Sequence, residues 1–496
     1  MKKIYIDESP AGSGKTHRAI DWITCRTCKI LFVTERIEML DELEIAIRWS
    51  AARHYSNPVV VKVHSGQSKH GISIGRRIAA LPGTHAEHDH VIVLATHSAM
   101  LRSDFSGFAG WEIIVDEVPP FLDSEPKKTH LDAAFFRRFY HLEANGQGWS
   151  VVTPTDQGRK LTVQSLRRDE SHAHMAPFHG RVLDASRGGA KRTVICDLPS
   201  WEAMENDDVE WCWASAFSLR ELDPFDKVTL LGNRFRSDIG CIFSQTLEPE
   251  PIEWIELPPL ERMGEFSFRP VNIRYFSEGR TSSGNLFSDE AGIEMLRKIG
   301  SYLAGHLPAE EYIWSANDGA NSPRSLLEEA GMRRLCYLTP RQAGSNKHAA
   351  ISSAAMIYSA KPTPGMEMLL KSLGIDPALW TRSIEHEAIL QFVTRTSVRD
   401  PDNASPVNLW VFDREQAQYL KDYFDGLPYV AATMAWIEDG PNVPRRGKSG
   451  PKKVIRTPEE QKAHDAEKRA VDAARKRRER AEEKLRKAEG KLKKAA

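Results

Sequence analysis

The sequence has few cysteines, no net charge and no long apolar run. Six cysteines among 496 residues are too few for the disulfide framework that is typical of small secreted domains. No stretch approaches the roughly 18 apolar residues that a membrane-spanning helix requires. The amino-terminal segment MKKIYIDESP has too short an apolar stretch for a signal peptide. We therefore expect a cytoplasmic protein that does not act at a membrane.

The zero net charge hides an uneven distribution of charge. Residues 445–496 contain 20 basic residues against 9 acidic ones, whereas residues 1–444 contain 48 against 59. A basic tail behind an acidic body indicates contact with a polyanion, although a solvated helical appendage has the same composition. The tail contains almost no large apolar residues after Pro458, so we expect a helical or disordered segment rather than a stable coiled coil.

Short apolar strands alternate with amphipathic helices along much of the chain. Such alternation predicts an α/β fold with parallel sheets that helices cover on both faces. Residues 122–191 are polar and weakly periodic, and we expect an insertion there. The strands expected in the first half are Lys3–Ser9, Lys29–Thr34, Val59–Val63, Val91–Ala95, Glu112–Asp116, Thr193–Asp197 and Trp211–Phe217, with helices at Thr16–Ile23 and Glu35–Trp49. In the second half, strands are expected at Tyr312–Ala316, Arg333–Thr339 and Val407–Asp413.

The segment SPAGSGKT lies between the first expected strand and the first expected helix. Its residues are Ser9, Pro10, Ala11, Gly12, Ser13, Gly14, Lys15 and Thr16. In this setting the loop turns its N–H groups toward phosphates, and the helix N-terminus adds a positive dipole end. Lys15 is expected to reach the β- and γ-phosphates, and the Thr16 hydroxyl to bind Mg²⁺. The segment predicts a P-loop that binds a nucleoside triphosphate.

A second acidic strand end is expected to complete the metal site. The strand Glu112–Asp116 is followed by Glu117, about a hundred residues after the loop. Asp116 would hold Mg²⁺ through water, and Glu117 would act as the general base for the attacking water. A strand that ends in two solvated acids is the alternative interpretation of this pattern.

These motifs, with others in the same order, resemble the superfamily 2 DEAD/DEAH-like helicases. The segment VLATHSAML is similar to the family motif whose threonine contacts the nucleic-acid backbone, which implies that role for Thr96. The segment ASAF resembles the motif that couples the nucleotide to the strand, which implies a coupling role for Ser215. Gly344 and Asn346, in a Gly-Ser-Asn sequence, resemble a further coupling motif.

The second half of the chain contains a Gln/Arg motif. Gln391, Arg395 and Arg399 recur at four-residue steps, so one face of a helix would present all three. In the family, a glutamine and two arginines of the second domain reach the γ-phosphate, and the positive charge stabilises its transfer. A solvated basic helix face is the alternative interpretation.

The resemblance implies two tandem RecA-like P-loop domains, ATP and Mg²⁺ as ligands, and hydrolysis coupled to movement on nucleic acid, with DNA expected rather than RNA. The expected domains are residues 1–225, with the insertion at about 122–191, residues 226–435, and the basic linker and tail at 436–496. A phage or mobile-element origin is also expected. Two other interpretations remain: a viral DNA-packaging ATPase similar to a terminase large subunit, and a nucleotide-switched binding protein.

The charge of the tail generates a testable prediction. Deletion of residues 445–496 should weaken nucleic-acid binding and flatten its salt dependence, because each lost phosphate contact reduces the slope of log K against log salt by about one unit. Fluorescence anisotropy with one labelled oligonucleotide, titrated at several salt concentrations, measures both quantities. An unchanged slope in the truncated protein would show that the tail makes no phosphate contacts.

Overall fold

The computed structural model contains two parallel sheets and one antiparallel sheet. It describes residues 2–64, 66, 73–129, 133–144, 148–186, 193–197, 209–247, 252–258, 266–308, 311–319, 322–340, 347–441 and 443. All of these belong to one unit, Met1–Pro444. The expected basic tail, residues 445–496, lies outside the described residues.

The strands follow one another along the whole unit. They are β1 Lys2–Asp7, β2 Lys29–Thr34, β3 Val59–Val63, β4 Val91–Thr96, β5 Glu112–Asp116, β6 Leu122–Thr129, β7 Tyr140–Ala144, β8 Trp149–Pro154, β9 Val194–Asp197, β10 Val209–Ala216, β11 Lys227–Leu231, β12 Ile252–Glu256, β13 Arg269–Ser277, β14 Ile313–Ala316, β15 Ser353–Ile357, β16 Val407–Asp413 and β17 Val430–Trp436.

The α-helices lie between these strands. They are α1 Lys15–Thr24, α2 Ile37–Arg53, α3 Ile74–Ala79, α4 Leu81–Thr84, α5 His97–Met100, α6 Ala133–Phe139, α7 Asp156–Lys160, α8 Val163–Arg168, α9 Ala176–Ser186, α10 Ile239–Leu247, α11 Gly284–Ser288, α12 Glu290–His306, α13 Pro323–Glu329, α14 Pro364–Ser372, α15 Pro377–Trp380, α16 Glu387–Val393 and α17 Arg414–Asp425. A π-helical turn, Thr381–His386, leads into α16.

The first parallel sheet, with its helices, forms the first lobe. Its strand order is β12-β1-β11-β5-β2-β4-β3, and every neighbouring pair is parallel. In β2, Leu31 and Val33 face one core cluster, whereas Ile30 and Phe32 face another that includes side chains of α1 and α2. A strand buried on both faces is apolar at every position rather than at alternate ones, which explains the run KILFVT.

An antiparallel sheet, the side module, is inserted between β5 and β11 of the first lobe. Its strand order is β6-β10-β9-β8-β7, and it extends over 122–216. The expected insertion at 122–191 was therefore too short. Strands β9 and β10 were expected in the parallel sheet, but they pair only within the antiparallel one. The apolar sequence of a strand does not by itself determine which sheet the strand joins.

The second parallel sheet, with its helices, forms the second lobe. Its order is β14-β15-β16-β13-β17, again with parallel neighbours throughout. The expected class, an α/β fold with two parallel sheets of the kind found in RecA-like domains, is confirmed. Strands β11 and β12 follow the expected boundary at residue 225 but lie in the first sheet, so sheet membership changes between Glu256 and Arg269.

One expected strand is not formed. The segment Arg333–Thr339 contains a 3₁₀ turn, Arg334–Cys336, and a single bridge from Tyr337 to Trp314 instead of a strand. Its apolar residues are divided between an exposed Leu335 and the partly buried Cys336, Tyr337 and Leu338. In the described part of the chain, no helix has the length and apolar character that a membrane crossing requires.

Two glycines of α12 allow a matched test of packing in the second lobe. A Cβ atom on Gly300 would lie 2.6 Å from the Ala330 Cβ and 3.2 Å from the Leu327 Cα, whereas a Cβ atom on Gly305 would meet nothing within 4 Å. We expect Gly300→Ala to lower the free energy of unfolding by about 1–3 kcal/mol through overpacking. Gly305→Ala should raise it by about 0.5 kcal/mol, because alanine favours the helix. Urea unfolding of both variants measures the difference, and equal stabilities would contradict this packing.

Candidate functional site

The P-loop lies between β1 and α1, as the sequence predicts. Gly12 has φ 82° and Gly14 has φ 90°, a left-handed conformation that favours glycine. Gly14 precedes α1 without a side-chain cap, and the first turn of the helix contains no acidic residue. The helix N-terminus therefore keeps its positive character for an anion.

The Lys15 ammonium folds back onto the P-loop. Its Nζ donates hydrogen bonds to the carbonyl oxygens of Ser9, at 2.5 Å, and Pro10, at 3.0 Å. Burial lowers the pKa of Lys15, and the charges of Glu117, Asp7 and Asp116 oppose that shift. The ammonium group of a lysine that is partly desolvated and bonded only to carbonyl oxygens is stabilised when a phosphate approaches it.

Thr16 and Asp116 meet although they are a hundred positions apart. The Thr16 hydroxyl donates to the Asp116 Oδ2 at 2.9 Å. Burial, followed by the charge of Glu117, raises the pKa of Asp116 to about 7. A hydroxyl and a carboxylate are oxygen donors, which suit Mg²⁺, an ion that usually keeps several waters and substrate phosphates as its other ligands. These two residues fit the metal role expected for them. Among the described residues, no group of three or more His, Cys, Asp or Glu side chains could hold a metal ion.

Glu117 follows β5 in an unusual backbone conformation. Its φ is 65°, in the left-handed region where a residue with a side chain is strained. Its N–H donates to the Leu231 carbonyl at 2.7 Å, and the His97 Nε2 lies 2.9 Å from the Asp116 carbonyl oxygen. These two contacts hold the backbone of the strand end from both sides.

A cavity of about 640 Å³ joins the P-loop to the second lobe. Ala11 to His17, Asp116 and Glu117 line it from the P-loop side, Met39 and Leu43 are among the residues of α2 that line it, and Arg399 lines it from the second lobe. A Cβ atom on Gly12 would lie 3.4 Å from the Arg399 Cγ. The Ala11 N–H also donates to the Tyr423 hydroxyl at 3.2 Å. The site is therefore formed by both lobes.

The Gln/Arg motif does not form one continuous helix, contrary to the expectation from its four-residue steps. Helix α16 contains Gln391 but ends at Val393, and Arg399 lies on a separate 3₁₀ turn, Ser397–Arg399. The hydroxyls of Thr394 and Thr396 donate to the carbonyl oxygens of Gln391 and Val393. Threonine side chains compete in this way with helical hydrogen bonds, which explains the early end of the helix.

The two arginines of the motif consequently occupy different places. Arg399 lines the cavity, whereas Arg395 does not. Arg395 is 2% exposed, and its Nε and Nη1 have no hydrogen-bond partner among the described residues. Burial, followed by the charges of Arg399 and Arg36, lowers the pKa of Arg395 to about 10. The resemblance implied that both arginines reach the γ-phosphate, whereas the geometry favours Arg399.

Neither Thr96 nor Ser215 lines the cavity. The Thr96 hydroxyl accepts from the Ala99 N–H as the N-cap of α5. Ser215 is buried on β10 of the side module, away from the parallel strands, so the expected coupling motif is not at a strand end of the first sheet. Gly344 and Asn346 lie outside the described residues.

The sequence did not predict a partly buried inter-lobe cluster at the end of β11. Asn233 and Arg234 follow β11, the strand between β1 and β5, and Arg234 has φ 54°. The Arg234 Nη1 donates to the Tyr419 hydroxyl at 2.5 Å, and this hydroxyl in turn donates to Glu387 on α16. The Asn233 Nδ2 donates to the other Glu387 oxygen at 3.5 Å. The sequence Gly-Asn-Arg at a strand end was the only signal available for this cluster.

Arg269 positions the turn that carries Arg399. This fully buried arginine on β13 donates from its two terminal nitrogens to the carbonyl oxygens of Ser397 and Asp400. The Ser397 N–H donates to the Ile351 carbonyl at 2.8 Å. The turn is therefore bonded to the second lobe at both of its ends.

The inter-lobe cluster generates a testable prediction. Glu387→Gln should lower kcat for the expected nucleotide hydrolysis about tenfold, equivalent to about 1.4 kcal/mol, because Arg234 loses its ionic partner and α16 loses its position. The KM for nucleotide should change little, since Glu387 does not line the cavity. Steady-state kinetics measures both constants.

Arg236→Gln is the matched control for this prediction. Arg236 also follows β11, but it pairs with Glu8 and Glu256 inside the first lobe. Its removal should leave kcat within about twofold. Equal effects of the two variants would show that the inter-lobe cluster does not position the site.

No protein-family model matches the chain, and no curated protein matches it. Among solved structures, the chain is similar to one described as "XPD_Helicase", with 10% identity, a TM-score of 0.47 and coverage of 88% of this chain and 96% of the other. It is similar to S. tokodaii Xpd4 with 12% identity, a TM-score of 0.44 and coverage of 87% and 96%. It is also similar to S. cerevisiae Dbp5 bound to RNA and ADP BeF3, with 8% identity, a TM-score of 0.32 and coverage of 88% and 86%.

Proposed function

We propose that the chain is an ATP-dependent helicase or translocase that couples ATP hydrolysis to movement on nucleic acid. The observation that carries this proposal is the contact of Arg399, from the second lobe, with Gly12 of the P-loop. A nucleotide bound between two lobes links its own hydrolysis to their relative motion, because one lobe supplies charge that the other lacks. A P-loop enzyme with a single lobe would not need this contact.

In the proposed reaction each residue acts on a different part of the triphosphate. Lys15 neutralises the β- and γ-phosphates, and the N–H groups of the P-loop bind their oxygens. Thr16 and Asp116 would hold Mg²⁺, which supplies charge neutralisation to the leaving phosphates. Glu117 accepts a proton from the attacking water. Arg399 stabilises the charge that develops on the transferred phosphoryl group.

The nucleic acid is proposed to lie across both lobes, so that closure and opening of the cleft shift the grip on its backbone. We expect DNA rather than RNA as the track. Thr96 is proposed as a backbone contact, because the strand end that it occupies faces the same edge of the sheet as Asp116. Gly344 and Asn346 remain proposed coupling residues. For Asn233 and Arg234 we propose the coupling role that the resemblance implied for Ser215, because they join the first lobe to Tyr419 and Glu387.

Phosphate release from ATP tests the proposal directly. We expect single-stranded DNA, duplex DNA or RNA to raise the rate of ATP hydrolysis at least about tenfold, because the proposed enzyme hydrolyses ATP efficiently only when its nucleic acid is bound. Lys15→Ala should abolish hydrolysis with every polymer. Arg399→Ala should lower kcat by about 10³, the effect of removing an arginine finger.

The other outcomes of this assay correspond to the alternative functions. Hydrolysis that no polymer stimulates would contradict a nucleic-acid motor. Tight nucleotide binding with negligible turnover would indicate a nucleotide-switched binding protein. Stimulation only by duplex DNA, together with an associated nuclease activity, would indicate a DNA-packaging ATPase. Arg297→Gln, on the outer part of α12 with its side chain 49% exposed, is the control for removing a positive charge.

A further inference from the structure

The imidazole ring of His97 joins the end of β4 to the end of β5. His97 is the first residue of α5, and it is 2% exposed. Its Nε2 lies 2.9 Å from the carbonyl oxygen of Asp116. A carbonyl oxygen only accepts hydrogen bonds, so Nε2 carries the proton and donates. This polar side chain, closed to solvent, therefore holds one backbone group of the strand end that carries the proposed metal ligand.

The hydrogen bond crosses a strand that lies between its two ends. The sheet order is β5-β2-β4, so β4 and β5 are not neighbours. On β2, Thr34 pairs with Thr96 and Val33 pairs with Val115, which places Thr96 and Asp116 at the same level on either side of β2. Two strand spacings, about 10 Å, separate them. The hydrogen bonds of the sheet itself do not span this distance, and the imidazole ring provides the link.

The group that His97 holds is the peptide bond between Asp116 and Glu117. Its carbonyl accepts from His97 on the β4 side, and its N–H donates to the Leu231 carbonyl at 2.7 Å on the β11 side. Glu117 has φ 65°, a conformation that a residue with a side chain keeps only when the surrounding structure enforces it. Loss of either hydrogen bond removes part of what holds Glu117 in this conformation.

His97 also belongs to the element that is proposed to contact nucleic acid. Thr96, the proposed backbone contact, accepts from the Ala99 N–H at 3.3 Å and so caps the helix that His97 begins. Helix α3 packs closely against the residues that follow α5, since a Cβ atom on Gly75 would meet the Arg102 carbonyl oxygen. A ligand that holds Thr96 therefore also holds the backbone from which the His97 side chain extends.

We propose that His97 is the positioning residue through which nucleic acid bound at α5 raises the rate of hydrolysis. The inference rests on the proposed function, which supplies both the polymer and the general base. A backbone phosphate at Thr96 holds α5 where His97 reaches Asp116, and this favours the observed conformation of Glu117. His97 does not line the nucleotide cavity, so it acts on the base through the backbone and is not itself catalytic.

Three substitutions separate the hydrogen bond from the packing of the ring. His97→Gln keeps an N–H donor near Nε2, because both nitrogens are the same number of bonds from the Cα atom. His97→Asn places its donor near Nδ1 instead, and His97→Phe keeps an aromatic ring without a donor. With saturating polymer, the Asn and Phe variants should lower kcat about tenfold, and the Gln variant should stay within about threefold of the wild type. The KM for ATP should stay within about twofold in all three.

The polymer dependence of kcat distinguishes positioning from a loss of stability. The ratio of kcat with polymer to kcat without it should fall at least about fivefold in His97→Phe and His97→Asn, because the connection from α5 to the peptide is broken. The Gln variant should keep most of this stimulation.

His179→Phe is the matched control. His179 is equally buried and its Nε2 lies 2.8 Å from the Leu161 carbonyl oxygen, but it belongs to the side module. Its loss should leave kcat and the stimulation by polymer within about twofold, even where the melting temperature falls.

Three results would overturn the role of His97 while the wild type shows stimulated hydrolysis and the proposed function stands. One is unchanged stimulation in His97→Phe and His97→Asn. Another is an equal loss in the Gln, Asn and Phe variants, or failure of the Asn and Phe variants to fold, which would identify a structural role. The third is the same loss of stimulation in His179→Phe. Hydrolysis by the wild type that no polymer stimulates would instead contradict the proposed function.

Discussion

The contact between Arg399 and Gly12 is the constraint on which the site depends. Gly12 has a positive φ, which disfavours a side chain, and a Cβ atom there would lie 3.4 Å from the Arg399 Cγ, at van der Waals distance, so the P-loop and the arginine turn lie against each other. Arg269 fixes that turn within the second lobe, and the cluster of Arg234, Tyr419 and Glu387 fixes the helix that precedes it. Each lobe alone would present an incomplete cavity.

The same contact concentrates positive charge that water would otherwise stabilise. Burial lowers the pKa values of Lys15, Arg395 and Arg399 together, although the first is on the P-loop and the others are on the second lobe. Glu117 offsets part of this charge at all three cations, with further help from Asp7 and Asp116 at Lys15 and from Glu35 at Arg395. In the proposed function, an anionic ligand relieves this repulsion and so favours closure of the two lobes, and its loss restores the repulsion and favours opening.

The sequence was sufficient to predict local structure but not to predict contacts between residues that are distant in the chain. Strand β2 and strand β5 were predicted with their observed bounds, because a strand buried on both faces is apolar throughout. The P-loop and Asp116 followed from spacing and from the strand context. The four-residue steps of the Gln/Arg motif were misleading, since the hydroxyls of Thr394 and Thr396 end the helix between the residues that the steps connect. Nothing in the local pattern distinguished the buried Arg395 from the cavity-lining Arg399.

Contacts between distant parts of the chain set the remaining limits of prediction. The pairing of Arg234 with Tyr419 and Glu387 joins residues more than 150 positions apart, and no periodicity marks them. Strand β10 was assigned to the wrong sheet because its apolar sequence suits either environment. Sheet membership depends instead on the partner strand, and here the partners are β6 and β9.

The position of the side module connects it with the catalytic strand ends. The chain leaves the first sheet after Glu117, enters β6 at Leu122 and returns from β10 through Ser218 to β11. At the base of the module Leu122 pairs with Ala216, and the Phe217 N–H donates to the Phe121 carbonyl at 2.8 Å. Glu117 in turn bonds to Leu231 at the end of β11. The side module is therefore joined directly to β5 and β11. Glu117, the proposed base, follows β5, and Arg234, the inter-lobe arginine, follows β11.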